Sequence, residues 1–132
     1  MDNITIKELS KYRLEKAKVA LKSAVLLYGH EDYVGAMNRA YYSIFYALRA
    51  VLALEKTDFK RHKDVIAHFN KEYVKSEIFP KELGKRIGQA KQVREDSDYD
   101  DEYIPSDTVT EHQIETAKEL VCLVEEYISG KL

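Results

Sequence analysis

Residues 32–54, DYVGAMNRAYYSIFYALRAVLAL, form the longest apolar-periodic segment of the chain. Met37, Ala40, Tyr41, Ile44, Phe45, Leu48, Val51 and Leu52 recur three and four apart, the spacing that puts side chains on one face of an α-helix. A helix of that length crosses a small domain from end to end. Gly29, His30, Glu31 and Asp32 punctuate the chain ahead of it, and the Asp32 carboxylate suits an N-cap that accepts from orphan backbone N–H groups. Asn38 and Arg39 interrupt the apolar pattern, and Asn38, Tyr42 and Arg49 fall near one another at helical spacing. This set reads either as a buried polar network or as a stripe facing a ligand.

Upstream, Thr5 and Glu8 have the spacing of a capping box, which predicts a first helix starting near Ile6. Its apolar stripe is Ile6, Leu9, Ala17, Ala20, Leu21, Ala24, Leu27 and Tyr28, and Gly29 ends it by adopting a left-handed backbone. The link to the second helix is so short that the two run antiparallel. Downstream, residues 55–61 read as a loop, and Val65, Ile66, Phe69 and Tyr73 mark a shorter helix. Phe79-Pro80 breaks the pattern, because the proline ring disfavours α geometry in the residue before it.

A fourth helix then starts at Pro80 or Lys81 and turns Leu83, Ile87, Ala90 and Val93 inward. Gly84 and Gly88 lie four apart within it; glycine costs about 1 kcal/mol in a helix interior, so the pair predicts a close approach by another helix, or else a weak exposed one. The stretch SDYDDEYIPSD, residues 97–107, reads as a polar surface loop. Thr110 with Gln113 forms a second capping box, opening a last helix with Ile114, Ala117, Leu120, Val121, Val124 and Ile128 inward and Gly130 at its end. The periodicity is helical throughout. The expected fold is all-α, an antiparallel up-and-down four-helix bundle with an additional short helix, in a single domain over residues 1–132.

A chain of 132 residues buries a real core without disulfides or metal. Its single cysteine, Cys122, excludes a disulfide framework, and the flanking Leu120, Val121, Leu123 and Val124 predict a buried, inert thiol. The polar amino terminus has no signal-peptide pattern, and no apolar run reaches the roughly 20 residues of a membrane span, so the expectation is a cytoplasmic protein with no membrane partner. A net charge of −2 argues against indiscriminate phosphate binding by the whole surface. Charge is uneven, however, with KTDFKRHK (56–63) basic and REDSDYDDE (94–102) acidic. Ten tyrosines without a tryptophan point to half-buried polar surfaces or an interface. Tyr33, Tyr41, Tyr42, Phe45 and Tyr46 cover more than one face of the second helix, a surplus that predicts a homodimer.

No glycine-rich phosphate loop, metal-spaced His and carboxylate set, or strained nucleophile turn occurs, so neither a metal nor a cofactor is expected. His62 and His68, six apart, face different sides of a helix; His62 reads as a helix-start residue bonding locally. Arg94 and Asp98 are four apart and can pair along one helix face, with Tyr99 one step round. Spacing alone leaves two readings open: a surface ion pair of a few tenths of a kcal/mol, or a guanidinium held ready to grip a phosphate bidentately.

The segments NRAYYSIFYALRAVL, HKDVIAHFNKEYVK and LGKRIGQAKQVREDSDYDD, in that order, resemble the HEPN family (higher eukaryotes and prokaryotes nucleotide-binding domain), in its small stand-alone prokaryotic branch with an Arg…Asp-Tyr signature. The resemblance implies a helical, commonly dimeric protein, often encoded beside a minimal nucleotidyltransferase in a toxin–antitoxin-like module. Active branches cleave RNA without metal, using an arginine followed four to six residues later by a histidine. Arg94 falls on that arginine, and Tyr99 stands where the histidine would be. Tyrosine, with a pKa near 10, is a poorer proton shuttle at neutral pH than histidine near 6.5. Arg61 and His68 match the spacing in the wrong helix.

The expectation is therefore a homodimer that binds a nucleotide, RNA or a nucleotidyltransferase through Asn38, Arg39, Tyr42, Arg94 and Asp98. One alternative is a metal-independent ribonuclease toxin with Arg94 and Tyr99 as its catalytic residues. Another is a helical interaction module whose polar stripe only sets helix register.

Overall fold

Asp32 caps its helix as expected: Oδ1 accepts from the Gly35 amide at 2.9 Å, and α2 runs Tyr33–Leu54. The computed structural model describes residues 3–99 and 102–131, without the side chains of residues 3, 4, 98 and 99. The other elements are α1 Asn3–Gly29, α3 His62–Phe69 running on into a π-helical turn Asn70–Val74, α4 Lys81–Tyr99 and α5 Asp107–Lys131. Every described element is helical, and the architecture is the expected all-α bundle of four long helices and a short one.

Two buried serines lock α1 against α2. Ser10 Oγ donates to the Ala50 carbonyl at 2.7 Å, and Ser43 Oγ donates to the Ala17 carbonyl at 2.8 Å, a pairing that only antiparallel helices can make. Ala17, Ala24, Ala40, Ala47 and Ala50 are wholly buried, and their small side chains let the two backbones come close enough for those bonds. α5 joins the pair from the other side, its buried Gln113 donating Nε2 to the Met37 carbonyl at 3.0 Å. These three helices pack extensively on one another, whereas α3 and α4 lie more lightly on α2.

Several local expectations are corrected. α1 begins three residues earlier than its capping box implied, and Glu31 at φ 61°, not Gly29, takes the left-handed turn. α5 also starts early, because Ser106 Oγ accepts from the Val109 amide at 3.1 Å. Thr110 and Gln113, read as a cap, are buried instead: Thr110 Oγ1 donates to the Ser106 carbonyl at 2.8 Å, and Gln113 crosses to α2. Gly130 lies within α5 rather than ending it, and α4 extends into the stretch read as a loop. Cys122 is exposed, since the helical period turns Val121 and Val124 inward and so turns the residue between them out.

The glycine pair divides. A Cβ on Gly84 would sit 2.7 Å from Val74 Cγ1 in the π-helical turn, so here the backbones do approach closely; one on Gly88 would meet nothing within 4 Å. An aromatic cluster of Phe69, Tyr73, Phe79 and Tyr127, with neighbouring ring centroids 5.1–6.3 Å apart, holds that turn and the start of α4 against α5. Together these contacts fix where α4 runs, and hence where it delivers Arg94.

Candidate functional site

The middle of α2 presents Asn38, Arg39, Tyr41, Tyr42, Phe45 and Arg49 toward the side on which α3 and α4 lie, and α4 brings Arg94 to it. Arg94 Nη2 donates to Tyr42 Oη at 2.9 Å, and its guanidinium carbon stands 4.9 Å from the Tyr41 ring centroid and 5.2 Å from that of Tyr42. The negative faces of two aromatic rings thus hold a flat cation whose orientation a hydrogen bond sets. Arg39 approaches the same Tyr42 ring at 5.1 Å and donates Nη2 to Asn38 Oδ1 at 3.3 Å. Asn38, Arg39, Tyr42 and Arg94 therefore form one connected cluster. Asp98 and Tyr99 are the last residues of α4; their side chains, and with them the Arg94–Asp98 pairing, lie outside the described residues.

Arg49 belongs to a neighbouring cluster. It engages Asp58 through Nε at 3.2 Å and Nη2 at 2.5 Å, while Arg13 of α1 reaches the same carboxylate at 3.2 Å. Burial pushes the Asp58 pKa up, but hydrogen bonds from Arg49 and the Phe59 amide, with the charges of Arg49 and Arg13, outweigh it and leave the group below its ordinary value. Two guanidiniums on one carboxylate leave a net positive charge, and they tether the 55–61 loop to both α1 and α2.

That tether turns the chain so that α3 opens directly over α2, and it brings in a residue that sequence reasoning set aside. His62 Nδ1 lies 2.9 Å from Tyr41 Oη, and its ring stacks on Phe45 with centroids 3.8 Å apart. It also lies 5.8 Å from the Tyr41 ring and 6.0 Å, edge-on, from the Tyr42 ring, so His62 and Arg94 share both tyrosines. Burial, then the positive charges of Arg94 and Arg49, lower its pKa and favour neutral imidazole. The one signal in sequence was loop length: seven residues between helices leave α3 little choice but to start beside α2. The other basic spacing dissolves, with Arg61 pairing to Asp64 at 3.1 Å and His68 to Glu55 at 3.2 Å.

Beside His62 opens a pocket of about 360 Å³ lined by Phe45, Arg49, Asp58, Phe59, Lys60 and His62. Its walls offer cations and aromatic faces, the groups that suit a phosphate joined to a flat ring. Among the described residues, no three His, Cys, Asp or Glu side chains gather as a metal ion would require. No helix among them is long and apolar enough to cross a membrane.

The aromatic surplus of α2 is largely covered within one chain. Tyr41 and Phe45 are buried, Tyr42 lies under Arg39 and Arg94, and Tyr46 lies under Lys16 at 5.1 Å. What stays exposed is on α1, where Tyr12, Val19 and Leu26, seven residues apart, are 59–63 % accessible.

Fold and site together define a small helical-bundle protein that gathers cations on the aromatic face of its central helix. The chain belongs to the HEPN domain family, which it matches over residues 10–127. It is 37 % identical over 94 residues to a Methanocaldococcus jannaschii protein named a putative toxin, covering 71 % of this chain and 63 % of that protein's length. A UPF0332 protein of Thermotoga maritima is 36 % identical over 92 residues, 70 % of each chain. A second M. jannaschii protein named a putative toxin is 29 % identical over 114 residues, 86 % of this chain and 81 % of that protein.

Proposed function

We propose that this protein is a toxin-like binder of single-stranded RNA, taking the phosphodiester backbone on Arg94 and Arg39 and stacking bases on the neighbouring aromatic rings. The observation that carries the reading is the Arg94 guanidinium, held over Tyr41 and Tyr42 and oriented by the Tyr42 hydroxyl. A surface ion pair has no use for such a mount, whereas a bidentate grip on phosphate depends on a guanidinium whose plane is set beforehand. The relatives named as toxins agree in kind. The acidic residues 95–102 beside the site keep the RNA footprint confined to this face instead of the whole surface.

Binding of a labelled single-stranded RNA, followed by fluorescence anisotropy across a salt series, tests the reading. Arg94→Ala should weaken binding about tenfold or more, and Arg94→Lys should not restore it, because a point charge lacks the planar fork. Salt-insensitive binding, or Arg94→Ala binding as the wild type does, would refute it.

We also infer that the protein pairs with itself through the exposed α1 stripe of Tyr12, Val19 and Leu26, a seven-residue repeat suited to helix packing. A monomer mass by light scattering at micromolar concentration would remove this inference and leave the RNA reading standing. A minimal nucleotidyltransferase is the protein partner we assign by resemblance, and co-purification of such an enzyme from a host expressing both would support it.

A further inference from the structure

The imidazole of His62 has one nitrogen committed and one available. Nδ1 is 2.9 Å from Tyr41 Oη, while among the described residues Nε2 has no hydrogen-bond partner. The ring is clamped by stacking on Phe45 and lines the pocket that also holds Arg49 and Lys60. Resting on the reading of the protein as an RNA binder, we propose that His62 is a catalytic residue that makes the site a metal-independent ribonuclease, with Tyr41 positioning its ring. The proton-transfer group absent from the position after Arg94 is thus supplied by α3.

The reaction this geometry supports is transesterification within the RNA strand. Nε2 of His62 takes the proton of a 2′-hydroxyl, the 2′-oxygen forms a bond to the adjacent phosphorus, and the bond from phosphorus to the 5′-oxygen of the next nucleotide breaks. The departing oxygen takes a proton from water, and the imidazolium returns its own to solvent, so atoms and charge balance. The products are a 2′,3′-cyclic phosphate and a 5′-hydroxyl end. Arg94 faces the negative charge that builds on the non-bridging oxygens, and Arg49 and Lys60 hold neighbouring phosphates. Arg94 from α4, Arg49, Tyr41 and Tyr42 from α2, and Asp58 and Lys60 from the loop are the titratable or charged groups around His62. Its surroundings are net cationic, which favours the neutral ring that the first step needs.

The test uses one labelled single-stranded RNA with chelator present, reading binding by anisotropy and cleavage on a gel. Wild type should bind and cut, leaving cyclic phosphate ends, and a strand with 2′-deoxyribose at the cut position should bind uncut. His62→Gln should bind within about twofold of wild type and cut at least about a hundredfold more slowly, the usual scale of a lost acid–base group. Tyr41→Phe should move the pH–rate profile, lowering kcat with KM little changed. Should His62→Gln fold poorly, the wild-type pH–rate midpoint must still coincide with the titration of the His62 ring by NMR. Binding without cleavage by wild type, cleavage of the deoxy strand, or an undiminished His62→Gln each overturns the proposal while leaving RNA binding intact. Loss of RNA binding in wild type itself sinks the functional reading beneath it.

Discussion

Replacing Gly84 and Gly88 of α4 by alanine, one at a time, separates a close contact from a helix propensity. Both lie in the same helix, so each substitution gains about 1 kcal/mol of alanine propensity. At Gly88 the new methyl meets nothing within 4 Å, so the gain appears undiminished, raising Tm by roughly 3–5 °C for a chain of this size. At Gly84 the methyl would lie 2.7 Å from Val74 Cγ1 and 3.2 Å from Asn70 Oδ1. Val74 is only 8 % exposed and β-branched, with a stiff χ1, so it has no cheap way to swing aside. Overpacking of this kind costs about 1–3 kcal/mol. Propensity cancels between the two variants, so their difference in unfolding free energy should be that same 1–3 kcal/mol, with Gly84→Ala the less stable. Urea unfolding with matched m-values measures it. A Gly84→Ala variant as stable as Gly88→Ala would refute the close approach that anchors α4, and with it the account of what positions Arg94.

Two further outcomes concern charge. Asp58→Asn should cost up to about 1 kcal/mol near pH 7, as befits a partly exposed carboxylate shared by two guanidiniums. Because the folded pKa is lowered, this contribution is complete above the ordinary aspartate value of about 4 and is lost as pH falls through the folded one. The wild-type and Asp58→Asn Tm curves should therefore converge toward pH 2; a gap that persists there would contradict the pairing. For His62, NMR should give a ring midpoint below the ordinary value of about 6.5, since burial and two nearby guanidiniums oppose protonation, and Arg94→Gln should raise it. The stability this residue contributes is full above about pH 6.5 and falls away as pH drops through its folded value. An unchanged midpoint in Arg94→Gln would separate the two residues.

Much of the bundle was legible because it rests on local rules. The 32–54 periodicity, the Asp32 cap and the Phe79-Pro80 break each depend on residues a few positions apart, and each holds in the structure. Misreadings arose where a residue of local type serves a distant purpose. Thr110 and Gln113 have capping chemistry, yet Gln113 spends its amide on a carbonyl of α2, 76 residues away in sequence. Cys122 was misplaced because dense flanking apolar residues blurred the period that turns it outward. In the candidate site, Asn38, Arg39 and Tyr42 were legible as polar insertions in an apolar helix, and Arg94 through its motif. His62 was not, because its partners Tyr41 and Phe45 come to it only through a tether at Asp58 that spacing does not encode.

The uneven packing of the bundle bears on how this site can behave. Tyr41 and Tyr42 stand on α2, inside the tightly packed group with α1 and α5, while Arg94 and His62 arrive on the more lightly held α4 and α3. Segments with fewer packed contacts open at lower free energy than the global unfolding transition. The site is therefore a seam: its aromatic half stays with the folded core while its cationic half can lift and reseat. Its assembly is governed by the local stability of α3 and α4, and a partner that grips either helix could switch the site on or off without disturbing the rest of the fold.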